Sequence, residues 1–198
     1  SSIGSLVESA VASFRLPRWR NQKNYVELWC EKDALASVIA PICDELHVTL
    51  MVNRGYSSSS AMYEASKRFH LEGGRPRTIV YLGDFDPSGE DMVRDIADRM
   101  QVFGVSVTVA KLALTRPQIK KYNLPPNPAK SSDSRYKQFV EENGESSYEV
   151  DAIPPEELQR MVRAKLTSFM DMDAYRDVIE REEVLTEKLV AVAEDIDE

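Results

Sequence analysis

Four short apolar runs, at residues 25–30, 48–52, 78–82 and 105–109, alternate with stretches whose apolar residues recur at helical spacing. That order constrains the fold more than any other feature of the chain. Runs this short and rich in β-branched or aromatic residues, with 48–52 apolar on both faces, read as buried strands, and the stretches between them as crossover helices. The expected fold class is therefore α/β, a mostly parallel sheet covered by helices on both faces. The first crossover helix spans 34–46, with Pro41 expected to kink or delay it. The second, begun by a serine cap, carries Ala61, Tyr63, Ala65 and Phe69; the third carries Met92, Val93, Ile96, Ala97 and Met100.

Two of these strands run straight into carboxylates. Glu31 follows the first, and Asp84 and Asp86 follow the third, ahead of a Pro87-Ser88-Gly89 turn that opens a helix. In open α/β sheets ligands bind at the carboxyl ends of the strands, and hard oxygen groups there suit Mg²⁺ held against a phosphate, with Mn²⁺ as a substitute. If the strand continued through both aspartates, they would point to opposite sides. Glu90 is a candidate accessory ligand. The plain alternative for the aspartate pair is helix capping and turn formation. An EF-hand is disfavoured by Pro87 within the loop, Asp91 at a normally apolar position and Asp95 in place of the bidentate glutamate. A haloacid-dehalogenase-like phosphatase expects Gly-Thr or Thr where Pro87-Ser88 stands, and leaves Glu31 unexplained.

Glu31-Lys32-Asp33 after one strand and Asp84-x-Asp86-x-x-Gly89 after a later one resemble the Toprim domain of topoisomerases, primases and related nucleases. The likeness is to the topoisomerase VI A-subunit and meiotic-recombination branch, through Arg54-Gly55-Tyr56-Ser57 and Gly83-Asp84-x-Asp86-Pro87-Ser88-Gly89. It covers residues 25–110, a little under half the chain. The resemblance implies a Rossmann-like Toprim sheet, with Glu31, Asp84 and Asp86 as catalytic and metal-binding residues and Glu31 also as a candidate general acid/base. Proteins of that branch cut DNA with a tyrosine on a winged-helix domain ahead of the Toprim region. Only 24 residues precede the first strand here, so no tyrosyl-DNA intermediate is expected of this chain alone.

The net charge of -8 is unevenly distributed. Residues 1–24 and 111–140 carry +3 and +6, while 25–110 and 141–198 carry -5 and -12. The two basic stretches could follow a phosphate backbone, or could be solvated loops. Candidate nucleic-acid contacts are Lys32, Arg54, Lys111, Arg116, Lys130 and Arg135, with Tyr122 or Tyr136 for stacking. The Gly55-Tyr56-Ser57 loop could offer backbone N–H groups to an anion. Cys30 and Cys43 lack metal or redox spacing and are expected to be reduced core residues; His47 and His70 are expected to be structural.

The expected organisation is a helical and basic segment at 1–24, a Toprim domain at 25–153 containing the basic Pro-rich loop 111–140, and acidic helices over 154–198. Short helices are expected at 114–122 and through Phe139, and a fifth strand at 148–153. No apolar run approaches the roughly 20 residues of a membrane span. A membrane partner is therefore not expected, and the default location is cytoplasmic, or nucleoid-associated in a prokaryote. The expected function is Mg²⁺-dependent cleavage of nucleic-acid phosphodiesters, as a DNA nickase or nuclease, with RNA also open. One alternative is a metal-binding component of a topoisomerase-like assembly whose tyrosine comes from a protein partner. A further alternative is a non-catalytic DNA-binding module.

Overall fold

The structure of the chain is a computed structural model that describes residues 3–53 and 58–197. It divides into two compact units, Asn24–Phe169 and Ser1–Lys23 with Met170–Glu198.

The larger unit is built on a parallel four-stranded sheet of order β2-β1-β3-β4, comprising β1 (Tyr25–Cys30), β2 (Thr49–Val52), β3 (Arg77–Leu82) and β4 (Thr108–Ala113). Its crossover helices are α2 (Asp33–Glu45), α3 (Ser59–His70) and α4 (Pro87–Val102). The helix expected at the chain start is α1 (Ile3–Ser13), and α2 runs through Pro41. Ser58 caps α3, its hydroxyl accepting the N–H of Ala61 at 3.2 Å.

Strand alternation assigns the two faces. On one, Trp29, Ile79 and Tyr81 pack with Met62 and Phe69 of α3 and Met92, Ile96 and Met100 of α4. The other presents Leu28, Cys30, Val80 and Leu82 to the side where α2 packs on β1 and β2. Each such fully buried side chain contributes about 1.5–3 kcal/mol relative to exposure. One carboxylate lies within the first face. Glu27 is fully buried, accepting two hydrogen bonds from the Arg68 guanidinium, one from the Tyr25 hydroxyl and one from the Trp29 indole, all at 2.8 Å.

The rest of this unit comprises α5 (Arg116–Tyr122), a small antiparallel pair of β5 (Asn127–Pro128) and β6 (Ser146–Ser147), α6 (Tyr136–Asn143) between them, and α7 (Pro155–Thr167). Helix α7 packs on α2, where Gln159 donates to the Val38 carbonyl at 2.8 Å and Arg163 pairs with Glu45. The sheet-bearing unit thus reaches Phe169, beyond the boundary at 153 expected from the sequence.

Two strand expectations need correction. The fourth strand starts at Thr108, not Val105: Gly104 turns the chain with φ +75°, and Val105 fills the core before the strand begins. No fifth strand forms over 148–153. Tyr148 makes a single antiparallel bridge to Phe85, and Val150–Ala152 is a 3-10 turn, because the Val150 N–H goes to the Asp84 carboxylate instead of a strand ladder.

In the smaller unit α1 packs on α8 (Met172–Asp197). Arg18 meets Glu182 through two hydrogen bonds of 2.9 and 2.8 Å, and the Leu16 N–H donates to the same carboxylate at 2.6 Å. Among the described residues no helix is long and apolar enough to cross a membrane.

Candidate active site

Strand register brings the acidic residues together. Cys30 lies opposite both Val52 and Leu82, so β2, β1 and β3 end level and Asn53, Glu31 and Gly83 follow side by side. The Glu31 N–H donates to the Leu82 carbonyl at 3.1 Å, and the Asn53 N–H to the Cys30 carbonyl at 2.7 Å. Glu31 Oε2 accepts the Asp84 N–H at 3.3 Å and lies 3.5 Å from the Tyr81 hydroxyl. Carboxylates of two non-adjacent motifs therefore share one edge of the sheet.

The two aspartates are held differently. Asp84 Oδ1 accepts the Val150 N–H at 2.8 Å, while its Oδ2 pairs with Lys32 Nζ at 3.1 Å. Asp86 is the N-cap of α4, its Oδ1 accepting the Gly89 N–H at 2.6 Å and the Ser88 hydroxyl at 3.3 Å. The capping alternative for the pair thus describes Asp86, but not Asp84. Gly89 is required at this turn, because a Cβ there would lie 2.2 Å from the Asp84 carbonyl oxygen.

The charge balance is poor for so buried a place. Burial, then the Asp84 charge, raise the Glu31 carboxyl above its ordinary pKa, against the hydrogen bond from the Asp84 N–H; Asp86 adds to the rise. Burial also raises the Asp84 carboxyl, against the pull of the Val150 N–H and Lys32. Burial opposes the Lys32 charge, but hydrogen bonds to Glu149 and Asp84 outweigh it and hold the ammonium above the usual lysine range. Tyr81 is raised by burial and then by the three carboxylates, which rules it out as a ready nucleophile.

Glu149 and Asp151 are site residues the sequence reading missed. Lys32 bonds to Glu149 and lies 3.7 Å from Asp151, both carried in by the segment that bridges to Phe85. The available signal is two acids two residues apart after the basic loop, inside the segment expected to be a strand.

Most of the expected nucleic-acid contacts are engaged by other groups of the chain. Lys32 is tied to Asp84 and Glu149. Lys111 reaches back to the carbonyls of Asp84 at 2.7 Å and Gly89 at 3.2 Å and to Glu90 at 2.5 Å, so Lys111 and the accessory candidate Glu90 satisfy each other. Arg135 pairs with Asp91 and Asp133. Arg116 is exposed, donating to the Glu142 carbonyl and Asn143 with its guanidinium over the Phe85 ring. Lys130 is exposed, and the Tyr122 hydroxyl donates to Glu157 at 2.9 Å. Arg54, with the rest of the anion-binding loop, lies outside the described residues. Cys30 and Cys43 are free and buried, and a His70 ring nitrogen bonds the Phe103 carbonyl at 2.9 Å.

By donor chemistry the edge fits a hard divalent cation. It has three carboxylates, two with raised pKa, and Glu31 Oε1 and Asp86 Oδ2 have no hydrogen bond among the described residues. As the side chains stand, no group of three or more His, Cys, Asp or Glu among the described residues is arranged to hold a metal, and Lys32 supplies the positive charge at Asp84. No protein-family model matches the sequence, and no curated protein matches it.

Proposed function

We propose that the chain is a Toprim-type protein that cleaves nucleic-acid phosphodiesters with the help of a divalent cation, as a nickase or nuclease acting on DNA. One observation carries this: Glu31, at the end of β1, contacts the backbone of Asp84, beyond β3, at the carboxyl edge of a parallel sheet. Glu31, Asp84 and Asp86 would hold the ion. A bound Mg²⁺ neutralises charge on the scissile phosphate and acidifies a coordinated water.

This chain's own residues supply the remaining steps. Glu31, beside Asp84 at this edge, would take a proton from the water that attacks phosphorus, as one P–O bond forms, the bond to the leaving oxygen breaks and that oxygen takes a proton from solvent. Lys32 holds Asp84 in place, and its ammonium, paired with Asp84 at 3.1 Å, is a cation for a phosphate to meet. The Asp86 cap fixes the start of α4 so that the chain cannot straighten between the two aspartates.

Incubation of the purified chain with supercoiled plasmid and Mg²⁺ or Mn²⁺ tests the proposal. Nicking that is lost in Glu31→Gln and Asp84→Asn supports it. Absence of cleavage at any metal concentration overturns it, and a covalent protein-DNA adduct replaces it with the tyrosine-dependent assembly.

A further inference from the structure

Asn53 is 1 % exposed, yet among the described residues its side-chain oxygen has no hydrogen-bond partner and its amide nitrogen reaches only the Met92 thioether at 3.4 Å. Sulfur is a weak acceptor, so the amide is close to unsatisfied at both ends. Buried amides are almost always paired, and an orphan in a packed core is costly enough to need a reason. Leucine would fill the same space without that cost.

The position of Asn53 supplies the reason. Its backbone is anchored to the Cys30 carbonyl, and strand register sets it beside Glu31 at the level carboxyl edge. The parallel pairing puts Asn53 and Glu31 on one face of the sheet, the face that carries Tyr81 and Met92. An unsatisfied neutral acceptor thus stands on the same face and at the same strand-end level as Glu31. In sites of this kind, groups behind the ligands hold the ion's water and orient the acids.

Taking the proposed function as its premise, we infer that Asn53 is a positioning residue of the cation site: its side-chain carbonyl accepts a hydrogen bond from water carried by a divalent ion at Glu31. Asn53 contributes no charge and touches no reacting atom; its part is to fix where the ion's water sits.

Mn²⁺ binding by the full chain, followed by electron paramagnetic resonance, tests this together with thermal melting. Asn53→Leu is expected to raise Tm while weakening Mn²⁺ binding by about tenfold or more. Asn53→Asp, which keeps an acceptor, is expected to bind Mn²⁺ at least as tightly as the natural chain. Unchanged Mn²⁺ affinity in a folded Asn53→Leu variant overturns the inference and leaves the proposed function standing. If the natural chain binds no Mn²⁺, both fall together. Should Asn53→Leu not fold, Asn53→Ser, whose shorter side chain withdraws the acceptor, carries the same expectation and the same overturning result.

Discussion

Lys32 Nζ lies 3.1 Å from Asp84 Oδ2, and the same ammonium bonds Glu149. One lysine thus stands where the acids would otherwise face each other uncompensated. Replacing it with methionine keeps the stem and removes the charge. Breaking a partly buried pair in this way costs on the order of 1–3 kcal/mol. Lys32→Met is therefore expected to lower Tm by roughly 2–10 °C, and added Mg²⁺ to recover more of its Tm than it adds to the natural chain. Calorimetry with and without Mg²⁺ measures both; equal Mg²⁺ responses would count against a cation site here.

Gly89→Ala sets two effects of opposite sign against each other. Alanine in a helix is favoured over glycine by about 1 kcal/mol. The added Cβ would sit 2.2 Å from the Asp84 carbonyl oxygen, which is backbone and also accepts from Lys111. Overpacking of this kind costs about 1–3 kcal/mol, so the clash wins or at least cancels the gain. The expected outcome is a lower Tm with weakened plasmid nicking. A variant that melts higher than the natural chain would show that the turn gives way easily.

The parts of this fold legible in the sequence are those fixed by local pattern. Strands β1 and β3 are largely buried on both faces because helices cover both, and their carboxylates follow at the same edge because both strands stop there together. Long-range pairing is invisible to pattern. Lys32 and Glu149 lie 117 residues apart, and nothing in their spacing announces a contact. Lys111 marked the start of a basic loop in the sequence, whereas its backbone belongs to β4 and its head group is used up on Asp84, Gly89 and Glu90. Asn53 gave no signal at all, since an asparagine after a strand is an ordinary turn residue.

Glu27 and Arg68 form a charged pair inside the larger unit. Arg68→Leu leaves a fully buried carboxylate with only the Tyr25 and Trp29 donors. Removing one member of a fully buried pair typically costs about 3–5 kcal/mol, and the cost here is expected below that because the Arg68 side chain is 36 % exposed. Glu27→Gln keeps an acceptor and is expected to cost less. Urea denaturation of both variants should place Arg68→Leu well below Glu27→Gln; the reverse order would mean that water or a neighbour replaces the guanidinium.

Cys30 and Cys43 carry a pH prediction away from the acidic edge. Burial pushes the Cys30 thiol from 9.0 to about 11 and the Cys43 thiol to about 12. The native state therefore binds these protons more tightly than the unfolded chain. Below about pH 9 both states hold them and nothing is lost; above it the unfolded chain ionises first, so stability declines as pH climbs from 9 through 11 and 12. At pH 8 the thiolate fraction in the native chain is lower by roughly a hundredfold or more, and burial adds to the protection. Iodoacetamide should label neither thiol in the native protein at pH 8 on the timescale that labels both in urea. Melting curves should be flat from pH 7 to 9 with respect to these groups, with Cys43→Ala flattening the decline above pH 9. Fast labelling of either native thiol at pH 8 would show that the side of the sheet under α2 opens far more readily than its packing implies.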